Sequence, residues 1–270
     1  MDITSTQNSR VKHVVKLRDD RRQRQQDGLM LVEGRDELAL AVESGLQPRT
    51  VYTAPELAGR QIDGLQAETV TVNRAVFEKM SYRQNPDGWL GVFAVPSRSL
   101  AGLTLTAAPL LLVAESIEKP GNLGAILRTA DAAGVEAVLV TDPRADVWNP
   151  NVIRASRGAL FSVPVLEVGN VEALQWLRST GCRIAAASPA GTITYTSAHF
   201  RGPIAIAVGT EDAGLTDFWL QAADEILQIP MRGRVNSLNV SVAAALLVYE
   251  ALRQRDTHDG TAATSKIRDR

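Results

Sequence analysis

The sequence predicts an α/β fold organised on an open parallel sheet, and three observations predict it. The second half holds near-continuous apolar runs, PLLLVAES, VEAVLVTD and PIAIAVGTE, of the kind that form parallel strands covered on both faces. Segments with helical spacing, such as NVEALQWLRSTG and GLTDFWLQAADEIL, stand between such runs. The order strand, helix, strand repeats along the chain, which is the pattern of crossover units.

The first element is basic. Residues 10–27 read RVKHVVKLRDDRRQRQQD, with a short apolar stripe at Val11, Val14, Val15 and Leu17 surrounded by Arg10, Lys12, Lys16, Arg18, Arg21, Arg22 and Arg24. This predicts one amphipathic basic helix. A charge run of this kind is commonly a solvated face. With few acids to offset the field, it also suits an anionic partner such as RNA. LMLVEG follows as a strand, RDELALAVESG as a helix ending at Gly45, RTVYTA and AETVTVN as strands, RAVFEKMSY as a helix and DGWLGVFAVP as a strand cut off by Pro96. Residues 1–96 thus form a small α/β domain, and 97–107, SRSLAGLTLTA, lose the periodicity and are expected to be a linker.

The second domain spans 108–255. Its strands are PLLLVAES, VEAVLVTD, SVPVLEV, CRIAAAS, PIAIAVGTE and LQIPM. Its helices follow IEKPGNLG, then cover NPNVIRASRGALF, NVEALQWLRSTG and GLTDFWLQAADEIL, and end with the long apolar segment from Val240. That last helix has almost no polar face, so it is expected to be buried all round. Residues 256–270 are polar and rich in small residues and are expected to be disordered.

Composition excludes several function classes. Of 270 residues, 45% are hydrophobic and 22% charged, as in a soluble globular protein, and no apolar run approaches the roughly 20 residues needed to cross a bilayer. The N-terminus lacks the apolar core of a signal peptide, so a cytoplasmic protein with no membrane partner is expected. Net charge is −1, so any contact with nucleic acid must use a local basic patch. A single cysteine, Cys182, excludes an internal disulfide and a cysteine-based metal cluster. There are three histidines and no HExxH or GxSxG pattern, so neither a metal nor a histidine base is expected.

Three loops carry the residues suited to chemistry. In open α/β sheets ligands bind beyond the carboxyl ends of strands. The first loop holds Glu118, Pro120, Gly121, Asn122 and Gly124, with Arg128 further along the helix. It is not GxGxxG, but it is compatible with a phosphate at the helix N-terminus; Arg128 is equally compatible with a surface helix position. The second loop, Val208 to Leu215, opens with Gly209, which allows close approach of a flat ligand, and continues to Glu211, a residue that also suits the positive end of a helix. The third loop runs from Ile229 to the last helix through Arg232, Arg234, Asn236, Ser237 and Asn239. Its backbone groups need partners, which either a ligand or an ordinary Asn/Ser cap would provide.

Taken together and in this order, the loops resemble the motifs of the SpoU/TrmH family of RNA 2′-O-ribose methyltransferases, in the SPOUT superfamily. EKPGNLGAILRTADAAGV is similar to the family's first motif, AVGTEDAGL to its second and IPMRGRVNSLNVSVAAALLVYEALRQ to its third, with NPNVIRASRGALFSVPV between. The stretch KLRDDRRQRQQDGLMLVEG is similar to the family's N-terminal RNA-binding domain, an α/β unit resembling certain ribosomal proteins.

The resemblance implies S-adenosyl-L-methionine as cofactor, RNA as substrate, a homodimer and a deep trefoil knot in the C-terminal domain. It implies catalytic roles for Asn122, Arg128, Glu211, Ser237 and Asn239, cofactor contacts at Gly209, Ile229 and Leu238, and RNA contacts at Arg232 and Arg234 beside the basic patch of Arg18, Arg21, Arg22 and Arg24. The family proposal makes the Arg128 position a base. A guanidinium titrates above about 12, so anchoring a phosphate and stabilising alkoxide charge is the role its chemistry supports. The full N-terminal domain favours 23S ribosomal RNA as target. The alternatives are a tRNA methyltransferase and a catalytically silent ribosome-assembly factor.

Overall fold

The structure, a computed structural model, describes residues 2–256; Asp256, expected to begin a disordered tail, is instead the last residue of a helix, and the rest of that expectation, 257–270, lies outside the described residues. The chain forms two compact units. Of the described residues, one takes 2–98, 118–128 and 144–164; the other takes 99–117, 129–143 and 165–256.

The first unit contains β1 (Asp2–Ile3), α1 (Ser9–Asp19), α2 (Arg21–Asp27), β2 (Leu29–Glu33), α3 (Arg35–Glu43), β3 (Pro48–Thr53), β4 (Glu68–Val72), α4 (Arg74–Met80) and β5 (Trp89–Ala94). Its sheet has the order β1-β4-β3-β5-β2, with β3 parallel to β4 and antiparallel to β5. Every residue of β2 is buried, because Leu29 and Leu31 join the core formed with α1 and α4 while Met30 and Val32 point to the other covered face.

The basic segment is two helices rather than one. Asp20 is extended, and its carboxylate accepts the Arg22 N–H at 2.8 Å, so it ends α1 and starts α2. The break turns Arg24 inward, against the expectation that it faces RNA: the residue is 2% exposed. Its guanidinium donates to the Leu17 and Arg18 carbonyls, which the end of α1 leaves without helical partners, and to Asp146. Arg18 is also engaged internally, binding Asp19 and the carbonyls of Lys79 and Ser81 at the end of α4.

The segment expected as one short helix, 149–161, is likewise two, α6 (Pro150–Ser156) and α7 (Ala159–Ser162). Arg157 and Gly158 between them have φ of 52° and 85°, and a Cβ on Gly158 would sit 2.7 Å from the Leu40 side chain, so this tight turn depends on glycine.

The second unit is built on seven strands, all parallel, in the order β10-β12-β9-β11-β6-β7-β8. These are β6 (Leu110–Glu115), β7 (Ala137–Thr141), β8 (Val165–Val168), β9 (Arg183–Ala187), β10 (Ile193–Thr194), β11 (Ile204–Val208) and β12 (Glu225–Gln228). The parallel sheet expected from the apolar runs is present, with the short β10 added. The helices are α5 (Pro120–Ala132), whose start belongs to the first unit, α8 (Asn170–Ser179), α9 (Asp217–Ala222) and α10 (Val240–Asp256). Residues 97–107 include a 3-10 turn at Leu100–Gly102, and Leu100 is buried in this unit's core. Cys182 is buried there too, and burial pushes its thiol up.

α9 is shorter than the expected helix over 214–227. Asp224 exchanges bonds with Ile184 of β9, donating its N–H to the carbonyl and accepting the Ile184 N–H on its carboxylate, so the chain leaves helix for sheet before Glu225. α10 also departs from expectation, since it is not buried all round. Ala244, Leu247, Val248 and Ala251 face the core, whereas Val242, Leu246 and Tyr249 are 47%, 37% and 49% exposed. They are spaced at i, i+4 and i+7 and form one apolar stripe.

Candidate active site

β12, β9 and β11 are neighbours and parallel, so their carboxyl ends open on one edge of the sheet. The loops that leave them enclose a cavity of about 300 Å³, large enough for a small ligand. Ala187, Ser188 and Pro189 line it from the end of β9, Val208 to Leu215 from the end of β11, and Ile229, Met231 and Asn236 to Leu238 from the end of β12. Leu220 of α9, Leu227, and Val240 and Ala243 of α10 complete an apolar wall.

The loop after β11 is folded into a ring. The Thr210 and Gly214 N–H groups donate to each other's carbonyls, at 3.0 and 3.1 Å, and the Ala213 N–H donates to the Thr210 hydroxyl. A Cβ on Gly209 would collide with the Gly214 carbonyl, so only glycine permits this closure at the mouth of the strand. The third loop is pinned to the second, because the Asn239 side-chain amide donates to the Glu211 carboxylate. The Asn239 side-chain oxygen accepts from the Ser241 N–H at 3.0 Å and the Ser241 hydroxyl at 2.6 Å, capping α10. One residue therefore starts the last helix and fixes the ring.

Of the residues singled out in the sequence, Gly209, Glu211, Ile229, Ser237 and Leu238 line the cavity, and Asn239 joins them through Glu211. Asn122 and Arg128 do not line it. Both lie on α5, Asn122 in the first turn and partly buried, Arg128 exposed. Arg232 and Arg234 are exposed on the third loop, and Arg22 is exposed on α2, where Arg21 is half-buried with its guanidinium on the Arg144 carbonyl.

Ser188 and Pro189 do not stand out in the sequence. CRIAAAS reads there as a strand, and the rule that ligands gather at the carboxyl ends of parallel strands applies to it as well as to the other two. The strand order, which sets β9 between β11 and β12, is what brings its loop to the cavity.

Comparison with known proteins agrees with this arrangement. The profile of the SpoU rRNA methylase family matches residues 109–249, and that of the MRM3-like substrate binding domain matches 8–91. A 23S rRNA (uridine(2479)-2′-O)-methyltransferase of Streptomyces viridochromogenes is 29% identical, over 93% of this chain and 92% of its own length. A crystal structure of an RNA 2′-O ribose methyltransferase is 41% identical with a TM-score of 0.84, covering 94% of this chain and 99% of that one. An AdoMet-bound rRNA methyltransferase from Sinorhizobium meliloti is 26% identical with a TM-score of 0.86, covering 94% and 97%. With the profile matched across more than half of this chain and the loops after β9, β11 and β12 converging on one cavity, this chain belongs to the SpoU rRNA methylase family.

Proposed function

We propose that the chain transfers a methyl group from S-adenosyl-L-methionine to a ribose 2′-oxygen of 23S ribosomal RNA. The observation that carries this reading is the cavity walled by the loops after β9, β11 and β12. Its residues fit the cofactor. Val208, Leu215, Leu227, Ile229 and Val240 offer an apolar wall to a flat base, and the main chain at Gly209, Ile229 and Leu238 offers polar groups. The carboxylates of Glu211 and Asp212 suit a cationic ligand.

The cofactor, when bound, supplies a methyl group already activated on a sulfonium, which leaves position and electrostatics to the protein. Glu211 and Asn239 hold the second and third loops together, so that Ser237 is presented on a fixed turn. In this reading Asn122 orients the ribose, and Arg128 anchors an RNA phosphate and stabilises the negative charge that develops on the 2′-oxygen. Residues 1–96 bind the RNA, 97–107 connect, and 108–255 form the methyltransferase domain.

The same reading includes a trefoil knot, a homodimer and a cytoplasmic location. Arg255 at the end of α10 donates to the carbonyls of Ala108, Pro109, Phe200 and Gly202, tying the last helix to the entries of β6 and β11. Supporting the dimer, the stripe Val242, Leu246, Tyr249 offers an apolar helix face to a second copy. Among the described residues no helix is long and apolar enough to cross a membrane.

Incubation with methyl-labelled S-adenosylmethionine and total RNA, followed by mapping of the modified ribose, tests the reading. Label at one 2′-oxygen of 23S rRNA is expected. Label in tRNA alone would replace the substrate, and no label in any RNA would favour a silent binder.

A further inference from the structure

Glu115 ends β6 and is 0% exposed. A carboxylate removed from water needs a cation or several hydrogen-bond donors to remain there. Three donors meet it: the Thr216 N–H at 2.7 Å, the Thr216 hydroxyl at 2.7 Å and the Asn170 side-chain amide at 3.4 Å. The Asn170 oxygen in turn accepts the indole N–H of the buried Trp219 at 2.9 Å. One carboxylate thus joins β6, the first residue of α8 and the entry to α9.

Thr216 closes the loop that Gly209 opens. It stands at the N-cap of α9, yet its side chain does not cap that helix, because its hydroxyl is turned to Glu115. Gly214 and Leu215, which precede it, line the cavity, as does Leu220 of α9. Glu115 itself is not among the lining residues. The ring is held at one end by β11, near its tip by Asn239 on Glu211, and at its other end by Glu115 on Thr216.

We infer that Glu115 is a positioning residue for the cofactor loop, setting the placement of Gly214, Leu215 and Leu220 through Thr216; this rests on reading the cavity as the S-adenosylmethionine site. Ordering the loop before binding lowers the entropy that binding must overcome. Loss of the clamp therefore acts on cofactor affinity, with RNA affinity left alone.

The test uses the full chain with Glu115→Gln and Thr216→Val. Glu115→Gln puts an amide N–H₂ where at least one acceptor is needed. Thr216→Val keeps the backbone N–H on the carboxylate and removes the hydroxyl at an exposed position, so the fold is retained even where Glu115→Gln is not. Calorimetric titration with S-adenosylmethionine, steady-state kinetics and thermal unfolding are measured together. Each variant is expected to raise the cofactor Kd and KM about tenfold, as loss of a charge-assisted hydrogen bond does. Saturating cofactor is expected to restore most of the rate, the KM for RNA to stay within twofold, and the double variant to fall short of the product of the two effects. A purely structural Glu115 would lower the melting temperature and leave the cofactor KM of folded molecules unchanged; that result in Thr216→Val overturns the inference. Failure of the wild-type chain to bind S-adenosylmethionine would overturn the functional reading instead.

Discussion

The Arg24 guanidinium and the Asp146 carboxylate, 122 positions apart in the chain, form a buried ion pair, with Nη2 and Nε at 2.5 and 2.8 Å from one carboxylate oxygen. It joins α2 to the start of the 144–164 segment within the first unit. Arg24 also holds two carbonyls at the end of α1, and the second Asp146 oxygen accepts the Trp148 N–H, so both partners are well provided with bonds. Asp146→Ala would leave a buried guanidinium short of its counter-charge, and a loss of about 3–5 kcal/mol is expected in chemical denaturation. The Arg24→Met/Asp146→Leu pair is expected to lose less than either partner alone, because no unpaired charge remains.

The same pair divides the basic segment into structural and exposed arginines, which salt dependence can separate. Arg21 and Arg22 on α2 and Arg232 and Arg234 on the third loop keep exposure enough to meet phosphates. Neutralising Arg22, Arg232 or Arg234 is expected to reduce the slope of log K against log salt by about 0.7 to 1 for each phosphate left without its cation. Arg24 is expected to leave that slope unchanged in any variant that stays folded. Filter binding of 23S rRNA fragments across a salt series checks both.

What the sequence disclosed and what it withheld follow from the range of the forces involved. Apolar runs such as PLLLVAES announce buried strands because burial on both faces is a local property of the residues. The ring at Gly209 was legible as a glycine after a strand, and Glu211 and Asn239 as loop polar groups. Their hydrogen bond was not, because it depends on two loops 28 residues apart meeting at one edge. Arg24 looked like its neighbours, since nothing local distinguishes an arginine whose counter-ion is Asp146. α10 misled for the opposite reason: its composition is right for a helix covered on all sides, and one chain covers only part of it. Glu115 carried a faint signal, an acid at the end of an otherwise apolar run, without any indication that Thr216 would receive it.

Acid should loosen the end of α10. The Arg253 guanidinium donates twice to Glu250, at 2.7 and 2.8 Å, and holds its carboxyl below the ordinary 4.5, with burial opposing and Gln254 adding a further bond. A carboxyl lowered on folding contributes stability that is complete above the unfolded value and is lost as pH falls through the folded one. Gln254 bridges Glu250 to the Phe200 N–H and the Ala198 carbonyl, so the loss reaches the entry of β11. Urea unfolding between pH 6 and 3 is expected to show a shallower acid decline in Glu250→Gln than in the wild type, together with lower stability at pH 6.

Arg128 offers the sharpest separation of chemistry from binding. It is exposed on α5 and is absent from the cavity wall, so removing it should leave the cofactor site as it is. Its proposed work is on the RNA side, where a guanidinium meets a phosphate and the oxygen that develops charge. A group acting mainly on the transition state lowers kcat and kcat/KM together. Arg128→Ala is expected to reduce methyl transfer by about 100-fold or more, the scale on which removing one oxyanion-stabilising donor acts, with the Kd for S-adenosylmethionine within twofold of wild type. Arg128→Lys keeps the charge but loses the planar fork and is expected to recover only part of the rate. Single-turnover transfer to 23S rRNA, measured beside calorimetric cofactor binding, decides the matter: wild-type turnover in Arg128→Ala removes the residue from the mechanism, and loss of cofactor binding moves it into the cofactor site.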